Sequence, residues 1–211
     1  MIRTRIKFCG MTRIEDAVLG ARFGVDAIGL VFTRRSPRFI EPAQARAIVA
    51  ALPPWTHVVA LFMDDAADWI REVEQTIRPH LLQFHGSEDD AFCSSFDTPH
   101  MKAIAMGSEN DVHARLSAHP HARGFLLDGH AAGTQGGRGQ GFDWSRIPHD
   151  VEQPLILAGG IASDNVARAI ARVRPWAVDV SSSIESAPGV KDAEKMAVFV
   201  AAVRRADAEL A

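Results

Sequence analysis

Short apolar runs alternate with helical stripes along the whole chain. Eight runs of four to six residues have the length of buried strands: 5–8, 27–32, 57–62, 80–85, 101–106, 124–128, 154–159 and 177–181. Between them, apolar residues recur three or four positions apart, which is typical of helices with one buried face. The clearest of these helical stretches begin near Ile14, Pro42, Ala66 and Val166, and a last one contains Met196 and Phe199.

Eight apolar strands, each followed by a helix or a remnant of one, predict a parallel α/β barrel. The strands are mostly continuous apolar runs, as expected when both faces of a sheet are covered. A repeat of roughly 25 residues per unit suits a (β/α)8 TIM barrel of minimal size. We therefore expect one barrel domain over residues 1–211. An open doubly wound sheet is the alternative, because the pattern does not show whether the sheet closes.

Local signals indicate where two of the helices begin and end. Thr12 and Glu15 have the spacing of a capping box, in which both side chains bond to free amides at a helix start. Gly24 suits a left-handed residue at the end of that first helix. Pro42 is placed to open the second helix.

Polar and reactive residues recur where the predicted strands end. In a parallel barrel these ends form one rim, and active sites lie there. The rim residues that we select as candidates are Cys9, Arg38, His85, Asp128, Gly159, Gly160, Asp179, Ser181 and Ser182.

The turns after the seventh and eighth strands predict a phosphate site. Gly159 and Gly160 allow backbone amides to approach an anion closely, and a helix is expected to start near Asp164 or Asn165. Ser181 and Ser182 would add hydroxyls and further amides. Loops after strands seven and eight are the usual phosphate site of this class of barrel. The alternative is a pair of tight turns that use glycine and serine for geometry alone.

Residues 128–144 form an unusually long connection that holds six glycines between Asp128 and Phe142. Long loops in compact barrels are usually functional or mobile. We interpret this stretch as a lid or a substrate-contacting loop, since it starts from a carboxylate at a strand end. The alternative is a flexible surface loop.

Composition and charge narrow the class of protein. A net charge of −3 and a pI near 6.3 give no support for nucleic-acid binding. No apolar stretch approaches the roughly 18 residues of a membrane helix, and no secretory signal is visible. Two cysteines without a Cys/His cluster argue against a disulfide scaffold or a metal site, so we expect a cytoplasmic protein. A monomer is the default expectation, with a homodimer as the alternative.

Taken singly, the candidates have ordinary structural explanations. A free cysteine such as Cys9 is commonly a small buried hydrophobe, and Cys93 is interpreted as structural. His85 could be a hydrogen-bonded structural histidine, Asp128 could cap a turn, and Arg38 could be a surface charge. The residues alone therefore predict a phosphate-binding barrel enzyme without naming its substrate.

The motifs together resemble phosphoribosylanthranilate isomerase, an enzyme of tryptophan biosynthesis. The resemblance runs in order over about residues 5 to 200. The stretches that carry it are IKFCGMTRIEDA, AIGLVFTRRSPRFI, LLQFHG, FLLDG, GGRGQGFDW, ILAGGIASDNV and VDVSSSIESAPGVKD. The resemblance implies a (β/α)8 barrel without metal or redox cofactor. It implies conversion of N-(5-phosphoribosyl)anthranilate to 1-(2-carboxyphenylamino)-1-deoxyribulose 5-phosphate by an Amadori rearrangement.

The resemblance also implies roles for the reactive pair. Cys9 matches the general base in the K-x-C-G motif, and Asp128 matches the general acid that ends strand six. An acid role needs a proton on Asp128 at neutral pH, which burial or the substrate's anions would favour. A base role needs a thiolate at Cys9, whose ordinary pKa is near 8.5. We expect Lys7 to point to the opposite side of the strand and so to be a doubtful activator of Cys9.

The remaining candidates match substrate-binding positions of the family. Arg38 matches the residue that holds the anthranilate carboxylate, Asp179 an aspartate near the sugar hydroxyls, and His85 a histidine close to the site. The phosphate turns are matched by Gly159, Gly160, Ser181 and Ser182.

Ser183 is a departure, because the family often has glycine there, and it makes the geometry of that turn uncertain. Two other functions remain as alternatives: another phosphosugar isomerase, or a non-catalytic barrel that binds a phosphorylated metabolite.

Overall fold

A computed structural model of the chain describes residues 3–107, 111–129, 141–148 and 150–210. Eight parallel strands close into a barrel in chain order, and the last strand pairs with the first. The strands are β1 (Arg5–Cys9), β2 (Ala27–Val31), β3 (His57–Phe62), β4 (Leu81–Phe84), β5 (His100–Ala105), β6 (Phe125–Asp128), β7 (Leu155–Leu157) and β8 (Ala177–Val180). The predicted (β/α)8 barrel is confirmed, and the open sheet is excluded.

Helices occupy the connections between the strands. They are α1 (Ile14–Arg22), α2 (Pro42–Ala51), α3 (Ala67–Ile77), α4 (Asp90–Cys93), α5 (Val112–Ser117), α6 (Val166–Val173) and α7 (Ala193–Glu209). Between β6 and β7, the described residues hold only a 3-10 turn, Trp144–Arg146. In the described part of the chain, no helix is both long enough and apolar enough to span a bilayer.

The barrel separates two apolar regions. Outward-facing strand residues such as Phe8, Ile28 and Phe84 pack with the helices in one large core. A smaller cluster fills part of the barrel interior and comprises Met101, Ala103, Leu126, Ile156, Ala158 and Ala177. Since side chains alternate across each strand, one strand serves both regions. The inward positions nearest the carboxyl ends include polar residues such as Cys9, Asp128 and Asp179.

The prediction of a capping box at Thr12 is wrong. The residue preceding α1 is Arg13, and no side chain caps the helix. The Thr12 hydroxyl instead donates to the carbonyl of Gly189. The prediction for Gly24 is confirmed, since it follows the end of α1 with a φ of +81°.

A β-hairpin that the apolar pattern did not predict follows β8. A 3-10 turn over Ser182–Ile184 leads into β9 (Glu185–Ala187), which pairs antiparallel with β10 (Val190–Lys191). Gly189 turns the chain with a φ of +82°. The hairpin is fastened to the loop after β1 by the Thr12 bond, and it carries two buried charged residues, Glu185 and Lys191, to the barrel rim.

Candidate active site

One cavity opens at the carboxyl ends of the strands, with a volume of about 700 Å³ including its mouth. The structure places all nine candidate residues around it: Cys9, Arg38, His85, Asp128, Gly159, Gly160, Asp179, Ser181 and Ser182. Residues spread over more than 170 positions of sequence therefore meet in one place, because every strand ends at the same rim.

Cys9 ends β1 at the wall of this cavity and is 6% exposed. Its neighbour across the sheet is Gly29 on β2. A Cβ added to Gly29 would lie 2.8 Å from the Cys9 sulfur, inside normal contact distance. Gly10, with a φ of +73°, leaves room for the aliphatic part of Arg38. Two glycines thus make the space in which the thiol and the guanidinium lie.

The expectation that Lys7 points away from Cys9 is wrong. Residues 7 and 9 are two positions apart, so strand alternation places both side chains on the same face. Lys7 is buried inside the barrel, and its ammonium donates to Asp179 Oδ1 at 2.7 Å. A Cβ built on Gly29 would lie 3.1 Å from Lys7 Nζ, so the ammonium and the thiol share one small space.

Burial and charge act in opposite directions on Cys9. Burial raises the pKa of the Cys9 thiol, Lys7 and Lys191 lower it, and Asp179 adds to the rise; the result is a raised pKa. Burial by itself would lower the pKa of Lys7, but Asp179 and Cys9 together raise it to about 12. Lys7 is therefore a permanent cation beside the thiol, and most of the thiol carries its proton at neutral pH.

Asp128 and His85 lie together on the far side of the cavity from Cys9. Asp128 ends β6, and the shortest path around the barrel from β1 to β6 crosses β8 and β7. His85 follows β4, and its Nε2 is 3.4 Å from Asp128 Oδ2. Both residues are less than a tenth exposed. The carboxylate and the thiol therefore line one cavity from strands that are three apart in the barrel.

Arg38 is held in place by the hairpin. Its Nε and Nη2 donate to the two oxygens of Glu185 at 2.8 and 2.7 Å. Burial would raise the pKa of Glu185, but Arg38 and Lys191 outweigh it and keep the pKa below its ordinary value. This bidentate pair uses one edge of the guanidinium and does not involve Nη1, so a second anion can be bound by the other edge.

Lys191 connects three parts of the site. Its ammonium lies 2.8 Å from Glu185 Oε1 and donates to the Cys9 carbonyl at 2.7 Å. It also donates to the Ser181 carbonyl at 3.2 Å. Because the Lys191 side chain is fully buried, these contacts fix the ends of β1 and β8 relative to the Arg38–Glu185 pair.

The two predicted phosphate turns lie side by side. Gly159 and Gly160 have φ values of +69° and +68°, which glycine adopts without strain. Asn165 donates to the Gly160 carbonyl at 2.7 Å and so holds this turn against the start of α6. Ser183, the departure from the family pattern, donates from its hydroxyl to the Ile161 carbonyl at 2.8 Å. It thereby links the β8 turn to the β7 turn, with a φ that is not positive.

Four polar residues of this region were not among the candidates that the sequence analysis selected: Lys7, Gln83, Glu185 and Lys191. Gln83 lines the cavity, is 1% exposed, and its Oε1 has no hydrogen-bond partner. A polar residue inside each of the apolar runs 5–8 and 80–85 was a usable signal for Lys7 and Gln83. Glu185 and Lys191 gave no such signal, because a hairpin after the last strand is not part of the repeating unit.

Two further expectations concern the glycine-rich loop and a metal site. Most of the proposed lid, residues 130–140, lies outside the described residues. Over the described ranges, no group of three or more histidine, cysteine, aspartate or glutamate side chains is arranged to hold a metal ion.

A closed (β/α)8 barrel with a thiol, a carboxylate and a guanidinium around the cavity at its carboxyl-terminal rim defines a barrel enzyme. Comparison with known families narrows this class. The family model for N-(5'-phosphoribosyl)anthranilate isomerase matches residues 6–202, and the chain belongs to that family. It is an isomerase of tryptophan biosynthesis, which converts N-(5-phosphoribosyl)anthranilate to 1-(2-carboxyphenylamino)-1-deoxyribulose 5-phosphate.

Individual relatives agree over nearly the whole chain. An N-(5'-phosphoribosyl)anthranilate isomerase of Xanthomonas campestris is 53% identical over 213 residues, covering 98% of this chain and 96% of the relative. The crystal structure of phosphoribosyl anthranilate isomerase from Thermus thermophilus has a TM-score of 0.86 at 34% identity, covering 96% of this chain and 99% of that one.

A further crystal structure is similar in fold and contains a ligand. It shows a phosphoribosyl anthranilate isomerase in complex with reduced 1-(o-carboxyphenylamino)-1-deoxyribulose 5-phosphate. Its TM-score is 0.80 at 32% identity, covering 96% of this chain and 99% of that chain.

Proposed function

We propose that Cys9 is the general base and Asp128 the general acid of the rearrangement in this chain. The observation that carries the proposal is that Cys9 at the end of β1 and Asp128 at the end of β6 line the same cavity from different strands. An acid and a base on opposite sides of a sugar are sufficient for an aldose-to-ketose isomerisation.

The reaction begins when Asp128 donates a proton to the ring oxygen of the ribose. The bond between that oxygen and C1 breaks, and the nitrogen lone pair forms the C=N bond of a protonated Schiff base. Cys9 thiolate then removes the proton from C2, and the electron pair of the C–H bond forms the C1=C2 bond of an enolamine. As the C1=C2 bond forms, the C=N electron pair returns to the nitrogen. Tautomerisation then moves the proton of the C2 hydroxyl to C1 and leaves the ketone at C2. The proton taken up by Cys9 is returned to Asp128 through solvent, so atoms and charges balance without an external oxidant.

Anchoring the two substrate anions explains how the sugar is held between the acid and the base. We assign the anthranilate carboxylate to Arg38, whose guanidinium keeps one edge available beside Glu185. We assign the phosphate to the turns of Gly159–Gly160 and Ser181–Ser182. Asp179 and His85 border the space between these anchors and are assigned to the sugar.

Replacement of the reacting groups tests the proposal. Cys9→Ala and Asp128→Asn should each slow a single turnover of the fluorescent anthranilate substrate by at least about 100-fold, the usual contribution of general acid–base catalysis. Both variants should still bind the reduced product analogue. Cys93→Ala is the matched control, since Cys93 is buried outside the cavity. Near-normal turnover in either variant contradicts the role assigned to that residue.

A further inference from the structure

We infer that Lys7 is a positioning residue that stabilises the thiolate of Cys9, and that Asp179 holds the Lys7 ammonium in place for this purpose. The inference rests on the proposed role of Cys9 as base, and it supplies the neighbour that allows a buried thiol to ionise.

Lys7 lies close to Cys9 on the inner face of the barrel. Lys7 and Asp179 are direct neighbours in the register of β1 and β8, and Cys9 and Gly29 are neighbours in the register of β1 and β2. A Cβ on Gly29 would lie 2.8 Å from the Cys9 sulfur and 3.1 Å from Lys7 Nζ. The ammonium and the sulfur are therefore separated by no more than the sum of those two distances.

The ion pair of Lys7 and Asp179 is buried. The Lys7 and Asp179 side chains are 5% and 10% exposed. The apolar cluster around Met101 and Leu126 occupies another part of the barrel interior. A buried ion pair is weak evidence for stability, because desolvation offsets most of the attraction. A buried charged pair beside the proposed base is explained by an electrostatic task.

The charges that face Cys9 come from four parts of the fold. Lys7 lies on β1, Asp179 on β8, Lys191 on β10, and Arg38 in the loop after β2. The Lys191 ammonium donates to the backbone carbonyl of Cys9, and its charge is also paired with the carboxylate of Glu185. Lys7 is the cation whose ammonium shares the space beside the sulfur. Burial raises the pKa of Cys9, and Lys7 limits that rise.

Alkylation of Cys9 by iodoacetamide at neutral pH measures this effect without any substrate. The rate is proportional to the thiolate fraction, and a Cys93→Ala background leaves one thiol to react. Lys7→Met should slow alkylation by roughly 10- to 1,000-fold, since an adjacent opposite charge shifts a pKa by about one to three units. Asp179→Asn keeps an oxygen that can accept from the Lys7 ammonium but removes the negative charge that raises the pKa of Cys9, so it should accelerate alkylation.

Opposite changes in the alkylation rate of Lys7→Met and Asp179→Asn distinguish an electrostatic effect from structural damage. Loosening of the barrel would expose the thiol and accelerate alkylation in both variants. Lys102→Met is the matched control, because Lys102 pairs with Glu88 at 2.7 Å in an equally buried ion pair. Lys102 is not among the charges that shift the pKa of Cys9. The chain has no tyrosine, so thiolate absorbance in the ultraviolet provides a second readout free of tyrosinate.

The inference is overturned if Lys7→Met leaves the alkylation rate unchanged, or if Lys7→Met and Asp179→Asn shift it in the same direction. It also requires single turnover by Lys7→Met at neutral pH to fall by the factor measured for the thiolate. A thiolate effect without that loss contradicts the role in catalysis. Failure of the proposed function appears separately, as turnover that persists in Cys9→Ala.

Discussion

Gly29 shows how the absence of a side chain can determine the chemistry of its neighbours. It lies beside Cys9 in the register of β1 and β2, where the thiol and the Lys7 ammonium occupy the space that a side chain would fill. Strand glycines commonly mark such close approaches. The close approach of the Cys9 and Lys7 side chains therefore depends on a third residue, which takes no part in the reaction.

Gly29→Ala tests this dependence. The added methyl would lie 2.8 Å from the sulfur and 3.1 Å from Lys7 Nζ, so one of them must move. Displacements of this kind cost about 1–3 kcal/mol. We expect a single-turnover rate at least about tenfold lower, with a smaller change in substrate binding. Gly141→Ala, where no atom lies within 4 Å of the new Cβ, is the control. An unchanged rate in Gly29→Ala contradicts the assignment.

Some residues of the site could be predicted from the sequence and others could not. The polar residues at strand ends could be selected because the rim of a parallel barrel is a fixed consequence of its topology. Lys7 was misjudged through a wrong application of strand alternation, not through missing information. The charge partner of Arg38 could not be found, because the ion pair Arg38–Glu185 joins residues far apart in sequence.

At the scale of elements, strand bounds were predictable to within one or two residues. Runs bounded by Gly and polar residues coincide with strands such as β3, predicted at 57–62 and observed at His57–Phe62. Short helices were less predictable, because an element such as α4, Asp90–Cys93, has only four residues in which to show a helical period. Asp89 explains this start, since its side chain accepts from the Phe92 amide and caps the helix.

The hairpin after β8 organises the site more than any helix does. It holds Arg38 through Glu185, and it reaches the Cys9 carbonyl and Ser181 through Lys191. Its preceding 3-10 turn contains Ser183, which links the turns after β7 and β8. We therefore expect phosphate affinity to depend on a residue that need not touch phosphate.

Ser183→Ala measures that dependence. Loss of one hydrogen bond of about 0.5–1.5 kcal/mol should raise KM for the phosphorylated substrate roughly two- to tenfold, with less effect on kcat. Ser186→Ala is the matched control, since its hydroxyl makes a 3.3 Å bond at an exposed position of the same hairpin. Equal KM values for the two variants contradict a role for Ser183 in holding the phosphate turns.

At the scale of the whole molecule, charge is distributed in favour of an anionic ligand. The chain carries a net charge of −3, yet three cations, Lys7, Arg38 and Lys191, surround Cys9 against two anions, Asp179 and Glu185. A local positive excess in a negative protein attracts an anionic substrate to the cavity. Two of these cations, Lys7 and Lys191, also limit the rise that burial causes in the pKa of Cys9.

The central claim is that residue 9 removes the proton, and the pH dependence of Cys9→Asp relative to the unchanged protein tests it most directly. Burial raises the pKa of Cys9, so its thiolate fraction grows as pH increases. An aspartate, with an ordinary pKa near 3.9, is ionised throughout the neutral range. Titration of Asp128 is common to both proteins and cancels in the ratio of their single-turnover rates. We predict that the ratio of unchanged protein to Cys9→Asp increases on the order of tenfold per pH unit below the thiol pKa. A ratio that stays constant from about pH 6.5 to pH 8.5 would contradict proton removal by Cys9.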